Sequence, residues 1–375
     1  MHILIAPNAF KNSLSAADAA NAIEEGFKES RLTCTCECFA IGDGGDGTAE
    51  LLVKKCDGLF VKANVHDPLG RKITATFGLI DKGKTAVIEM ADASGLRLLK
   101  HDELNALQAS STGTGELIKQ ALDKGVTKII IAMGGSATVD GGCGILSALG
   151  VKFLNKDGQT LVKPEHLAQL DKIDVAELDG RILHCEVIVM CDVDNKLLGD
   201  NGAASIFGPQ KGATAEGVKK LEDSLTKLAE VAFQQTGKDM ASIKYGGTAG
   251  GAAAGLFAFL NAKLVNGIEY FLQLTNFEEA LLRSNLVITG EGSIDEQTLQ
   301  GKGPFGVAVR AKEKGIQVIG IAGKVPLNPG NHLRKYFDVL LPIANEPFDT
   351  TTALQLTSDN LIRTATELGN LLAII

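Results

Sequence analysis

Short apolar runs alternate with amphipathic stretches along most of the chain, and polar segments rich in glycine separate them. The opening run, closing at Pro7, predicts a buried parallel strand, and Ser15-Ala16-Ala17-Asp18 predicts the start of a helix through Phe27. A strand at 34–41, a glycine-aspartate loop at 42–47 and a helix at 48–56 repeat the pattern. Segments 61–65, 72–80 and 85–90, separated by Pro68-Leu69-Gly70 and Asp81-Lys82-Gly83, predict hairpin strands instead. Alternation then returns, with a helix at 115–124, strands at 128–133 and 187–191, a Gly-Ser loop at 134–144 with a helix through Leu149, and a helix at 215–236. Toward the end come strands at 286–289, 318–322 and 338–343 and helices at 298–314 and 351–375. Strand-loop-helix alternation predicts an α/β fold with a doubly wound sheet. Because the two chain ends share one style, we expect a domain made of 1–62 and 283–375, with a second α/β domain, 63–282, inserted between them.

Length agrees with two domains, since 375 residues exceed what one hydrophobic core usually supports. The net charge of −8 argues against phosphate-backbone binding, so nucleic acid is not an expected partner. The N-terminus has no basic region or cleavage site of a secretory signal, and the longest apolar stretch, 247–262, is broken by glycines and too short to span a bilayer. The expected setting is cytoplasmic, with no membrane partner; a homodimer is compatible with everything above. Cys34, Cys36 and Cys38 alternate as on a strand, but no second cluster completes a zinc site, so reduced, ordinary thiols are expected.

Chemistry concentrates in the glycine loops. Gly42-Asp43-Gly44-Gly45-Asp46-Gly47 satisfies G-x-G-x-x-G, yet two carboxylates facing a pyrophosphate would repel it unless a cation intervened. The loop therefore suits magnesium or a substrate hydroxyl better than a dinucleotide, with a solvated turn as the plain alternative. Neither a Walker loop nor the protein-kinase motifs nor G-x-S-x-G occurs. What remains are loops that pair glycine with small hydroxyls and carboxylates: 110–115, 134–142 and 290–295. Free backbone N–H groups can cradle phosphate there, and acids beside them can hold Mg²⁺, although each loop alone is equally readable as a helix cap. Together they point to phosphoryl transfer, in which a carboxylate suffices as base. A dehydrogenase and a nucleotide or organic-acid sensor are the competing classes.

Several ordered motifs resemble the bacterial class I glycerate kinases. They are Ala6-Pro7-Asn8-Ala9-Phe10-Lys11-Asn12-Ser13-Leu14, Gly42 to Thr48, Asp67-Pro68-Leu69-Gly70, Glu89-Met90-Ala91 with Ala93-Ser94-Gly95-Leu96, Gly134 to Gly142, Cys191-Asp192-Val193-Asp194-Asn195, Phe207-Gly208-Pro209-Gln210-Lys211-Gly212, and Thr289-Gly290-Glu291-Gly292. The resemblance implies an ATP-dependent D-glycerate kinase making 2-phosphoglycerate, with phosphorylation at the 3-hydroxyl or of another small hydroxy acid as alternatives. It also implies a flavodoxin-like domain, a restriction-enzyme-like inserted domain and an active site in the cleft between them. On the matched motifs, physical inference assigns Asp192 as base, because it ends an apolar strand, and Lys11 to bound anions. Ser13, Arg71, Thr112, Gly113, Gly134, Gly135, Ser136, Thr138, Gly290 and Lys302 are expected at substrate or phosphate, and Asp43, Asp46, Asp140, Glu291 and Asp295 at Mg²⁺. Asp46 stands where the family commonly has Glu and Asn8 where it commonly has Asp.

Overall fold

In the computed structural model, which describes residues 1–346 and 349–375, the apolar runs become strands and the amphipathic stretches helices. In chain order the strands are β1 His2–Ile5, β2 Thr35–Cys38, β3 Leu59–His66, β4 Lys72–Ile80, β5 Thr85–Glu89, β6 Lys128–Ala132, β7 Lys152–Leu154, β8 Lys172–Asp174, β9 Glu186–Cys191, β10 Lys263–Asn266, β11 Leu286–Ser293, β12 Gln317–Lys324 and β13 Val339–Pro342. The chain divides into two compact units, Met1–Asp43 with Ile268–Ile375, and Gly44–Gly267.

The first unit holds a parallel sheet in the order β13-β12-β11-β1-β2. Its connections run outward in opposite directions from β1 and β11, and the carboxyl ends at such a switch point open onto a crevice. Ile3, Ile5, Ile288, Ile319 and Ile321 pack beneath the helices Ala16–Glu29 and Thr357–Leu372. Ser15 caps the first of these by accepting a hydrogen bond from the Asp18 amide. Gly26 lets the two helices cross closely, since a side chain there would overlap the Ile362 carbonyl. Cys34 and Cys36 pack against the same core, and burial pushes the Cys36 thiol up to about 12.

The second unit holds a six-stranded sheet, β10-β9-β6-β5-β4-β3. Its first four strands are mutually parallel, whereas the β3–β4 and β4–β5 pairs are antiparallel, as the hairpin reading of 61–90 expects. A separate antiparallel pair, β7 and β8, lies in the same unit. The core behind the large sheet is built from Ile88, Ile129, Ile131, Val187 and Val189 with Leu117, Leu221 and Leu225 from helices.

Several elements depart from expectation: the strand expected over 34–41 covers only Thr35–Cys38, the closing helix divides into Thr350–Gln355 and Thr357–Leu372, and two departures fall beside the candidate site. β11 does not end at Thr289 but continues through Gly290-Glu291-Gly292 as far as Ser293. The helix expected over 298–314 is broken into a 3-10 turn, Thr298–Gln300, and a helix, Gly303–Glu313, because Gly301 takes a left-handed φ of +98°. Among the described residues no helix is long and apolar enough to cross a membrane.

Candidate active site

In the first unit, parallel pairing of β1 with β11 brings the loop after β1 beside the last residues of β11. Asn8 leaves β1 and donates from Nδ2 to Asp43 Oδ2 at 2.8 Å, and the Gly303 amide reaches the same oxygen at 3.3 Å. Asp43 therefore lies at the N-terminus of helix Gly303–Glu313, where the helix dipole favours a negative charge. Glu291, buried on β11, accepts a hydrogen bond from Thr298 Oγ1 at 3.0 Å. Burial pushes its carboxyl up to about 7; the Lys302 and Lys11 ammoniums pull it down, and the Asp43 carboxylate pushes it further up. One carboxylate and two lysines thus act on Glu291 at the carboxyl ends of the central strands. Lys11 is exposed and Lys302 half-buried. Asp295 is half-buried one turn away, accepting from the Gln297 amide at 2.8 Å and from Ser293 Oγ at 3.3 Å.

In the second unit the carboxyl ends of the adjacent parallel strands β5, β6 and β9 deliver Glu89, the loop 134–142 and Asp192 to one edge of the sheet. Glu89 is buried and accepts from the Gly47 and Ala49 amides, at 2.9 and 3.2 Å, at the start of helix Thr48–Lys55. Burial pushes its carboxyl up to about 7, the Gly47 amide works against this, and Asp92 adds to it. Arg97 lies 3.5 Å from Glu89 and also pairs with Asp92. The Gly134 amide donates to the Gly44 carbonyl at 2.7 Å, and a side chain on Gly135 would overlap the Asp46 carboxylate, so the two glycine loops lie directly against each other.

Asp140 ties the loop 134–142 to helix Thr112–Asp123. Its Oδ2 accepts from the Ser111 amide at 2.9 Å, Ser111 Oγ at 2.7 Å and the Gly144 amide at 3.1 Å, and its Oδ1 from the Gly142 amide at 3.0 Å. Those four donors engage both oxygens of the carboxylate. Lys211, 3% exposed, donates from Nζ to Ser136 Oγ at 2.9 Å and to the Thr138 carbonyl at 2.8 Å. Thr138 Oγ1 is buried beside it with no hydrogen-bond partner among the described residues. Burial pulls the Lys211 ammonium down to about 7, while Asp140 and Asp192 pull the other way.

Other expected site residues are engaged elsewhere within their units. Ser13 Oγ donates to the Leu354 carbonyl at 2.6 Å. Arg71 Nε donates to Asp67 at 2.5 Å and its NH1 to Glu103 at 2.7 Å. Thr112 Oγ1 pairs with Ser110 Oγ at 2.7 Å, and Gly113 sits against the His66 carbonyl, where a side chain would not fit. Gly290 is buried within β11, packed against the Ile321 carbonyl of β12. Residues not singled out from the sequence by their chemistry, Asn8, Glu89, Thr298 and Lys211, stand within these clusters. For Asn8, Glu89 and Lys211 the one signal was that they fall inside motifs carrying the family resemblance.

The comparisons with known proteins agree with one another. Residues 3–373 match the glycerate kinase family. The chain is 46% identical to a glycerate kinase of Halalkalibacterium halodurans over 86% of its own length and 85% of that protein's. It is 42% identical to the glycerate 2-kinase of Escherichia coli K12 over 100% of its length and 98% of that protein's. A crystal structure from Salmonella typhimurium LT2, provisionally assigned as a glycerate kinase 2, superposes with a TM-score of 0.82 at 41% identity, covering 99% of this chain and 98% of that one. With the match running through nearly every strand and glycine loop described above, the chain belongs to the glycerate kinase family.

Proposed function

We propose that the chain catalyses transfer of the γ-phosphoryl group of ATP to the 2-hydroxyl of D-glycerate, forming 2-phosphoglycerate and ADP. The observation that carries the reading is the cluster at the β1/β11 switch point, where the loop after β1 lies beside the end of β11 and the charges of Asp43, Lys11 and Lys302 act on the buried Glu291. Anions with a bound cation suit this mixture of charges, and family membership together with the names of the relatives supports glycerate as acceptor. The order β13-β12-β11-β1-β2 supports a flavodoxin-like reading of the first unit.

Among the described residues no three acidic, histidine or cysteine side chains form a metal cage. Magnesium in phosphoryl transfer needs none, since one or two carboxylates complete a shell otherwise made of phosphate oxygens and water. Asp43 and Glu291 fit as that pair, Glu291 because a cation would offset the cost of ionising it in its buried place. When bound, the ion neutralises charge on the transferred phosphoryl group. Asp46 and Asp295 are further carboxylates on these loops. Asp140, with both oxygens engaged, is assigned to fixing the loop.

Lys11 and Lys302 neutralise phosphate or carboxylate charge, and the half-buried Gly135 with Ser136 offers polar groups to the substrate's oxygens, whereas the Gly134 amide is taken by the Gly44 carbonyl and Thr138 is enclosed, so both shape the loop instead. Asp192 receives the hydroxyl proton as the acceptor oxygen bonds to phosphorus and the bond to the β-phosphate oxygen breaks. Its place at the end of β9 holds the carboxylate steady, and positioning matters more here than basicity. Phosphorus NMR of a mixture of the protein, ATP, Mg²⁺ and D-glycerate tests the reading. ADP and a phosphomonoester coupled to the C2 proton are expected, and Asp192→Asn should lower kcat by about two to four orders of magnitude while leaving ATP binding intact. A C3 phosphoester would replace the regiochemistry, and no phosphoglycerate at all would overturn the proposal.

A further inference from the structure

In the first unit, β12 ends on Gly323-Lys324 and the chain leaves it through Val325-Pro326-Leu327-Asn328-Pro329, before the short helix Gly330–Arg334 and β13. The two prolines lack the amide that would join a ladder, and the segment stands away from the sheet, bounding a cavity of about 600 Å³ against β13. Val325, Leu327, Val339 and Leu340 give the cavity apolar walls, and the exposed Lys324 and Arg334 give it positive charge. The one carboxylate in the lining, Asp338, is engaged, its Oδ2 accepting from the Val318 amide at 2.7 Å and from Lys312 Nζ at 2.5 Å. β13 is the edge of its sheet, so among the described residues one row of its amides and carbonyls meets no further strand. The cavity adjoins the switch-point cluster. β11 and β12 run side by side to Ser293 and Lys324, and the Ile294 amide donates to the Lys324 carbonyl at 3.0 Å. Between Glu291 and the cavity lies bare backbone, Gly292 on β11 and Gly323 on β12. A side chain on Gly323 would come within 2.7 Å of the Gly292 carbonyl, so packing accounts for that glycine. Gly292 has no such reason: its φ is not left-handed, and a methyl group there would meet nothing closer than the Lys11 amide nitrogen, at 3.8 Å. Glycine at 292 instead keeps the surface beside Lys11 open to a ligand.

We propose that this cavity is the adenosine subsite of the nucleotide, with the phosphates running over the Gly292–Gly323 backbone to Lys11 and Glu291. The assignment rests on ATP as donor, from the function proposed above. Apolar walls take the faces of the base, and the outer amides and carbonyls of β13 read its polar edge, where a donor and an acceptor lie side by side. Lys324 and Arg334 neutralise the phosphate nearest the nucleoside. The lining includes the last residues of both strands, Lys324 and Pro342, and ligands of open parallel sheets lie outside such ends. With strands about 4.8 Å apart, the way from β13 to the end of β11 crosses two spacings, a stretch that a triphosphate covers.

Calorimetric titration of the full chain with ADP, without glycerate, tests the subsite apart from the chemistry. Val339→Trp fills the cavity from an exposed edge position, and should weaken ADP about tenfold or more with the melting temperature near that of the parent. KM for ATP should rise in step while KM for D-glycerate holds. Inorganic tripolyphosphate carries the phosphates without the nucleoside, so its affinity should not respond to Val339→Trp. Should that variant fail to fold, methyl NMR of the unaltered chain supplies a second reading: AMP should shift the methyl signals of Val325, Leu327, Val339 and Leu340. Unchanged ADP affinity in a folded Val339→Trp protein, or methyl signals that AMP leaves in place, overturns the subsite. So does equal weakening of ADP and tripolyphosphate, which would mean that the variant acts on the phosphates alone. ADP binding that Val339→Trp weakens, in a chain that forms no phosphoglycerate, would keep the subsite and sink the reaction.

Discussion

Glu291 spends the neutral pH range near its own midpoint, because burial lifts its carboxyl from the ordinary 4.5 to about 7. Between those two values the folded chain keeps a proton that the unfolded chain has released. Stability contributed by the neutral form is therefore fully present below pH 4.5 and lost as pH rises through 7. For a shift of this size the loss is about 3 kcal/mol at most. Glu291→Gln should remove it, so that urea midpoints measured at pH 5 and pH 8 differ less in the variant than in the parent. Mg²⁺ should raise the midpoint of the parent at pH 8 and do so less in Glu291→Gln; equal responses would take Glu291 out of the cation site. None of this is visible in the string Thr289-Gly290-Glu291-Gly292, which reads equally well as a solvated turn. The same holds for Lys211, since a lysine in a polar glycine-rich segment reads as surface until the fold encloses it. Asp43, Lys11 and Glu291 itself were nonetheless named as site candidates from the sequence, because polar residues that follow a predicted strand lie at the ligand edge of a parallel sheet whatever the loop does.

At the scale of elements, the glycines beside the acids serve contact between chain segments as much as contact with a ligand. Gly290 lies inside β11, and a methyl group there would overlap the Ile321 carbonyl of β12. Gly290→Ala should cost about 1–3 kcal/mol by overpacking and should displace Glu291, the next residue. We expect a lowered melting temperature and a kcat that falls even per folded molecule; an unchanged melting temperature would mean that the strands part there without strain. The sequence suggested a turn because Gly-Glu-Gly has low strand propensity, and tertiary pairing with β12 overrode it. Where apolar periodicity was strong the elements were legible nearly to the residue, as in β4 Lys72–Ile80 and helix Ala215–Thr236. Short pieces were not. β7, β8 and β10, each of three or four residues, carry too little pattern to separate from loop, and a single left-handed glycine, Gly301, divides what otherwise has helical spacing.

At the scale of the whole chain, the two units differ in how they are assembled. The first pairs Ile3 with Leu286, so its central strands meet only after nearly the entire chain has been made. The second is one continuous segment, Gly44–Gly267, whose six-stranded sheet closes on its own residues. Among the described residues, its buried core cluster runs from Ala63 to Ala262, and the first unit has a cluster of its own from Ile3 to Phe27 and Leu286 to Leu368. A segment of about 220 residues is large enough to support such a core alone. The fragment 44–267, expressed by itself, should therefore fold cooperatively, with a single denaturant transition and protected amides in β5, β6 and β9. It should show no turnover, because Lys11, Asp43, Glu291 and Lys302 are absent. Hydrogen exchange and urea unfolding of the fragment check this. Exchange at unprotected rates throughout, or a transition with no cooperativity, would mean that the second unit needs the first to hold its fold; phosphorylation of glycerate by the fragment would mean that the switch-point cluster in the first unit is not where the phosphates are bound.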